Sequence, residues 1–364
     1  MRKKCILHIG MHKTGTSSLQ LALTHHLIDP RFHYTEIDQD TGDVNHNRAF
    51  SSIFKKNPYA YHGNLSIGMG VAEVNAYRIA AQKKIISSFL RYEDEITEII
   101  SGEDIGYFDR DEVLVLRDFL RLYFDHIIVV AYIRSATSYI NSAVQELVKH
   151  GANTFEFGVC GPGYGRFKMF SDVFGMDSVI YKSYDLIVGE KLSVVSDFSN
   201  LFHINFELKS NNIEDNISLT LEAISVLYTY QKYSFRKRDR FYFQTQKSLI
   251  DALAQLGNTR LSLGSKLINQ IIGNDNLGIE FLERYFNLNV LIPESTAVEQ
   301  EFNIDDENSL IDYAVECYDK LKMLLATYGI FCPLAERSQT GIAELVRSLD
   351  SGINGNLLNS EFYI

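Results

Sequence analysis

The sequence is short of several things, and each shortage removes a class of function. Its four cysteines, Cys5, Cys160, Cys317 and Cys332, are scattered along 364 residues. They form no CxxC pair and have no histidine at metal-ligand spacing, so neither a zinc site nor a disulfide framework is expected, and the interior should be reduced and metal-free. Positive charge is also scarce: 35 Lys and Arg against 46 Asp and Glu leave a net charge of −11. That balance offers no basic stripe for wrapping nucleic acid, so any anionic ligand must be gripped locally. Apolar runs stay well below the roughly 18 residues of a membrane span. The run that follows Arg2, Lys3 and Lys4 breaks at His8 and Gly10, too early for a signal-peptide core. A soluble, cytoplasmic protein is the expectation. No internal repeat is present.

What remains is a chain with 46% hydrophobic residues, enough for a sizeable core. Residues 5–9, CILHI, read as a short buried strand, followed by a loop and a helical pattern over 17–27. Residues 29–70 have no clear periodicity. Helical spacing then covers 71–92 and 111–124, strand patterns cover 96–100 and 178–182, and HIIVVAYI at 126–133 is the clearest buried strand. A helix is expected from Arg134 to Lys149. Five glycines and one proline mark 151–165 as a loop. The expected fold class is therefore α/β, three-layered, with a mainly parallel sheet and a P-loop-like phosphate-binding loop. From about residue 212 strand signals fade and helical patterns dominate (217–233, 244–256, 278–286 and 310–328), which divides the chain into a core at 1–211 and a helical region at 212–364.

The segment Gly10-Met11-His12-Lys13-Thr14-Gly15-Thr16-Ser17-Ser18 lies between the first strand and the first helix, the context in which backbone N–H groups and the helix dipole hold phosphate. Gly10 and Gly15 let the chain curl tightly. The hydroxyls of Thr14, Thr16, Ser17 and Ser18 offer further donors, and Lys13 brings a full charge. Compared with GxxxxGK[ST], the glycine spacing agrees, but Thr16 stands at the lysine position and the lysine has moved to Lys13. His12 belongs to the same loop, either orienting its backbone or facing solvent.

Lys13-Thr14-Gly15-Thr16-Ser17 resembles the KxGT[ST] signature of sulfotransferases that use 3′-phosphoadenosine-5′-phosphosulfate (PAPS), and HIGMHKTGTSSLQ is most similar to their bacterial and carbohydrate-modifying branch. The resemblance implies that this loop binds the 5′-phosphosulfate and that Lys13 stabilises the departing phosphate oxygen. It also implies a 3′-phosphate grip made by an arginine at a strand end and a serine eight positions later, an interval matched by Arg134 and Ser142. On a helix eight residues rise about 12 Å, so one phosphate touching both requires Arg134 to reach back. The resemblance extends only to about residue 205, and the family's C-terminal glycine-rich loop is not evident; Arg236, Lys237 and Arg238 are candidate substitutes.

Transfer to an alcohol needs a base for the acceptor proton. Glu103 follows the 96–100 strand at its ligand-binding end, where the family places its catalytic histidine or glutamate. His46, whose imidazole needs little tuning, and Glu36, near where some carbohydrate enzymes carry a glutamate, are alternatives. The expected reaction is metal-free in-line transfer from PAPS to a hydroxyl or amine of a glycan, glycolipid, lipid or phenolic acceptor. A P-loop small-molecule or nucleotide kinase and a non-catalytic nucleotide-binding protein are the competing readings.

Overall fold

The computed structural model describes residues 3–37, 44–92, 96–207, 218–234, 240–273, 275–291, 303–332 and 334–358. Contacts divide the chain into two compact units, one of residues 1–135, 163–213 and 274–296, the other of 136–162, 214–273 and 297–364. The helix predicted after Arg134 thus belongs with the second unit, and 274–296 with the first.

The first unit is built on five parallel strands, β1 (Lys4–His8), β2 (Phe32–Tyr34), β3 (Thr97–Ser101), β4 (His126–Ile133) and β5 (Val179–Ser183), in the order β2-β3-β1-β4-β5. Leu7 of β1 pairs with Ile100 on one side and Val129 on the other. Both faces are covered, which is why β1 and β4 read as unbroken apolar runs. On one face Ile6, Ile99, Val130 and Tyr132 pack with Leu19 and Leu23 of helix Thr16–His25 and with Val194, Val195 and Phe198 of helix Val194–Phe202. Elsewhere helix Gly165–Phe174 packs against β4, β5 and helix Arg110–Arg121. The α/β three-layer expectation holds.

Strand order also fixes where a ligand can sit. After β1 the chain turns toward β2, and after β4 it continues toward β5 on the opposite side, so the connections diverge at the C-terminal ends of β1 and β4. Doubly wound sheets open a crevice at such a switch point.

Two stretches differ from the sequence reading. Within 29–70 the structure forms β2 and helix Asn47–Phe54, each too short to impose a period. The pattern at 310–328 divides at Cys317 into helices Glu307–Glu316 and Tyr318–Thr327.

The second unit is helical. Its centre is helix Leu221–Tyr233, whose residues Leu221 to Tyr230 are all buried. Thr220 caps its start by accepting from Ala223 N at 3.1 Å. Helices Ala136–Lys149, Glu307–Glu316 and Gln339–Leu358 pack around it. Among the described residues no helix is long and apolar enough to cross a membrane.

Candidate active site

The site begins where β1 ends. Residues 9–11 continue alongside β4 through Ile9 N→Val130 O (2.9 Å), Met11 N→Tyr132 O (3.1 Å) and Tyr132 N→Gly10 O (2.8 Å), so the loop leaves the sheet already fixed to its neighbour. Lys13 (φ 65°) and Gly15 (φ 74°) then take left-handed backbone conformations, and Gly15 opens helix Thr16–His25 with no side chain capping it. The N–H groups of the first turn therefore face the loop's concavity with the positive end of the helix dipole, a fit to a phosphate or sulfate group.

The loop's hydroxyls divide in a way the sequence did not indicate. Thr14 is fully buried, and its Oγ1 donates to Met11 O at 2.6 Å; Thr16 Oγ1 donates to the same carbonyl at 3.3 Å. These two protons brace the loop and are not offered to a ligand, which corrects the expectation for Thr14 and Thr16. Ser17 is exposed and Ser18 half-buried on the outer first turn.

Arg134, one residue past β4, is brought onto the loop: its Nη1 donates to Lys13 O at 2.9 Å, and its guanidinium lies 5.3 Å from the Tyr184 ring centroid. Ser142 lies half-buried on helix Ala136–Lys149 in the second unit. The run Arg236, Lys237 and Arg238 lies outside the described residues.

From the β3 side, Gly102 leads into a short 3-10 turn, Glu103–Tyr107. A Cβ on Gly10, which itself has φ 96°, would come within 3.1 Å of Glu103 Cβ, so only glycine lets the turn and the loop approach this closely. His12 bridges the two segments. Its Nδ1 lies 3.3 Å from Glu103 Oε1 and its Nε2 2.9 Å from Asp104 Oδ1. Burial alone would favour the neutral ring, but the hydrogen bonds to Asp104 and Glu103 and the Glu103 charge outweigh it and push the imidazole up to about 10. His12 is thus an imidazolium with both ring nitrogens turned to carboxylates and 31% of its side chain still exposed. Asp104 is anchored from behind by Tyr61 OH (2.6 Å), and its N–H donates to Asn47 Oδ1 (3.0 Å).

The other candidate bases are engaged elsewhere. His46 is fully buried; Ser101 N donates to its Nδ1 at 3.0 Å, and its Nε2 donates to Thr35 O at 2.9 Å. Burial drives this ring down to about 3. With both nitrogens used and Tyr34 stacked 4.5 Å away, it pins the sheet and cannot take a substrate proton. Glu36 is ion-paired through both oxygens to Arg91, with Arg91 Nη2→Oε2 at 2.7 Å. Of the three, Glu103 alone adjoins the loop. Asp104, Tyr61 and Asn47 were missed because nothing local links Asp104 to His12, 92 residues upstream, or to the Tyr61 and Asn47 side chains that hold it.

The sequence matches no protein-family model and no curated protein. Among solved structures, the chain is similar to a sulfotransferase from Alicyclobacillus acidocaldarius at 15% identity and a TM-score of 0.38, over 67% of this chain and 100% of that one.

Proposed function

We propose that the protein is a sulfotransferase that moves a sulfuryl group from PAPS to an acceptor hydroxyl or amine by in-line displacement, with a glycan or glycolipid as the acceptor class. One observation carries the reading: Lys13 with an uncapped helix start, Arg134, and Glu103 converge at the C-terminal ends of three adjacent strands, β1, β4 and β3. The donor set consists of backbone N–H groups, one lysine and one arginine, a chemistry suited to an oxyanion-rich ligand.

In this reading the 5′-phosphosulfate lies over the first turn of helix Thr16–His25. The acceptor oxygen attacks sulfur while Glu103 takes its proton. A new S–O bond forms and the bond from sulfur to the phosphate's bridging oxygen breaks. The charge gathering on that oxygen is met by Lys13 and the helix N-terminus. The His12 imidazolium keeps Glu103 and Asp104 from repelling the anionic donor and holds the Glu103 side chain in place. Arg134 shapes the loop through Lys13 O and is assigned to the 3′-phosphate.

Calorimetric titration with 3′-phosphoadenosine-5′-phosphate (PAP) against ATP plus magnesium tests the donor. Micromolar PAP binding that is lost in Lys13→Ala supports the reading. Tight ATP–magnesium binding with no PAP binding sinks it and favours a kinase.

A further inference from the structure

Beside this cluster lies a cation that no part of the proposed chemistry uses. Arg166, in the first turn of helix Gly165–Phe174, has Nε, Nη1 and Nη2 all buried and all without a hydrogen-bond partner among the described residues. Its guanidinium stacks 4.0 Å from the Tyr107 ring centroid and lies 4.9 Å from that of Phe167. Tyr107 ends the same 3-10 turn that begins with Glu103, and its ring centroid is 5.3 Å from that of His12.

The position of Arg166 is tightly set. Asp275 accepts from the N–H groups of Tyr164 and Gly165, the latter at 3.0 Å. The fully buried Tyr164 donates its hydroxyl to Arg134 O at 2.7 Å. Glycines flank the guanidinium: a Cβ on Gly163 would be 3.5 Å from Nη1 and one on Gly106 3.9 Å from Nε. A desolvated guanidinium with five unsatisfied donors costs stability and persists where it gains a partner at another time. Its planar fork matches a carboxylate or a sulfate ester, and the stacked tyrosine supports that fork from one face.

We propose that Arg166 is an anion subsite which receives a carboxylate or sulfate group of the acceptor, one 3-10 turn away from Glu103. The subsite itself stands on the unpaired guanidinium; that its anion belongs to the acceptor rests on the sulfotransferase reading above.

The test separates the two. In a Lys13→Ala background, where the phosphate loop is weakened, thermal unfolding is followed with sodium glucuronate, sodium sulfate or glucose at constant ionic strength set with chloride. Glucuronate and sulfate should raise Tm, glucose should not, and adding Arg166→Gln should remove the anion-dependent rise. A rise of equal size in the Arg166→Gln protein overturns the subsite. Arg166→Met supplies a fold check: without anion its Tm should equal or exceed that of its parent, since an unpaired buried cation has been replaced by an apolar chain, whereas a fall of several degrees would mean the guanidinium has a partner within the fold and would overturn the proposal. With PAPS, Arg166→Gln should raise KM for a glucuronide acceptor about tenfold or more while leaving PAP affinity and the KM of the matching glucoside unchanged. Loss of turnover on both acceptors alike would overturn the acceptor assignment, and absence of PAP binding by the wild type would sink the sulfotransferase reading while leaving the anion titrations to decide the subsite.

Discussion

The two ends of one sheet differ in kind. At the N-terminal ends of β1, β4 and β5 lies a cavity of about 430 Å³ lined by Lys4, Arg121, Asp125, His126, Asp177 and Ser178, among others. At the C-terminal ends lie the loop that opens helix Thr16–His25, the Glu103 turn and Arg134. The first has room and charges of both signs, and the helix start beside it is only the single 3-10 turn Met176–Ser178. The second has left-handed backbone at Lys13 and Gly15 and an imidazolium clamped between carboxylates. Space marks a site less reliably than convergent, preorganised donors do, and in a parallel sheet those gather where strands run out into helices.

The contrast is broken or sharpened by substitution at each end. Lys13→Ala should lower transfer from PAPS by about 10²–10³-fold, the loss typical of removing one charge-stabilising donor, in a radiolabelled-donor assay. Glu103→Gln should lower kcat by about 10²-fold or more with PAP affinity unchanged; full turnover would move the base elsewhere. Gly10→Ala should cost about 1–3 kcal/mol in urea unfolding, because φ 96° is strained for alanine and the new methyl meets Glu103, and should weaken PAP binding as well. At the opposite end, Arg121→Ala should change transfer by less than about twofold, as surface changes away from a site do. A larger effect there would reverse the comparison.

Acid and alkali address the same edge. His8 is held down to about 4 and His46 to about 3, in both cases by burial, so the unfolded chain binds more protons below the ordinary 6.5. Stability should therefore fall as pH drops from 6.5 toward 3. His12 acts in the opposite direction: its contribution is complete below pH 6.5 and is lost as pH rises toward 10. Urea midpoints from pH 4 to 10 should show both limbs, and His12→Gln should flatten the alkaline one.

Much of the frame is legible without coordinates. HIIVVAYI forms β4 at the predicted positions, and CILHI forms β1 shifted by one residue, because strands buried on both faces leave continuous apolar runs. The three-residue β2 is invisible: FHY carries no alternation to detect, and it exists because β3 offers an open edge. Helix Gly165–Phe174, which carries Arg166, follows a glycine-rich stretch that reads only as loop, and its start is fixed by Asp275 from a distant segment. Among candidate bases the sequence favoured Glu103 over His46 and Glu36 by its place after the 96–100 strand, but the side-chain partners that engage each of them come from segments distant in sequence.

By itself, the sequence determined the strand–loop–helix at residues 4–25 and the strand that delivers Arg134, because apolar periodicity and glycine placement are local properties. Only tertiary structure decided which polar groups are spent and which remain. Thr14 and Thr16 brace a carbonyl, His46 pins the sheet, Arg91 occupies Glu36, and His12 is charged between Glu103 and Asp104. The physical reason is that protonation and hydrogen-bond availability depend on burial and on partners distant in sequence, and these meet only when parallel strands align their C-terminal ends.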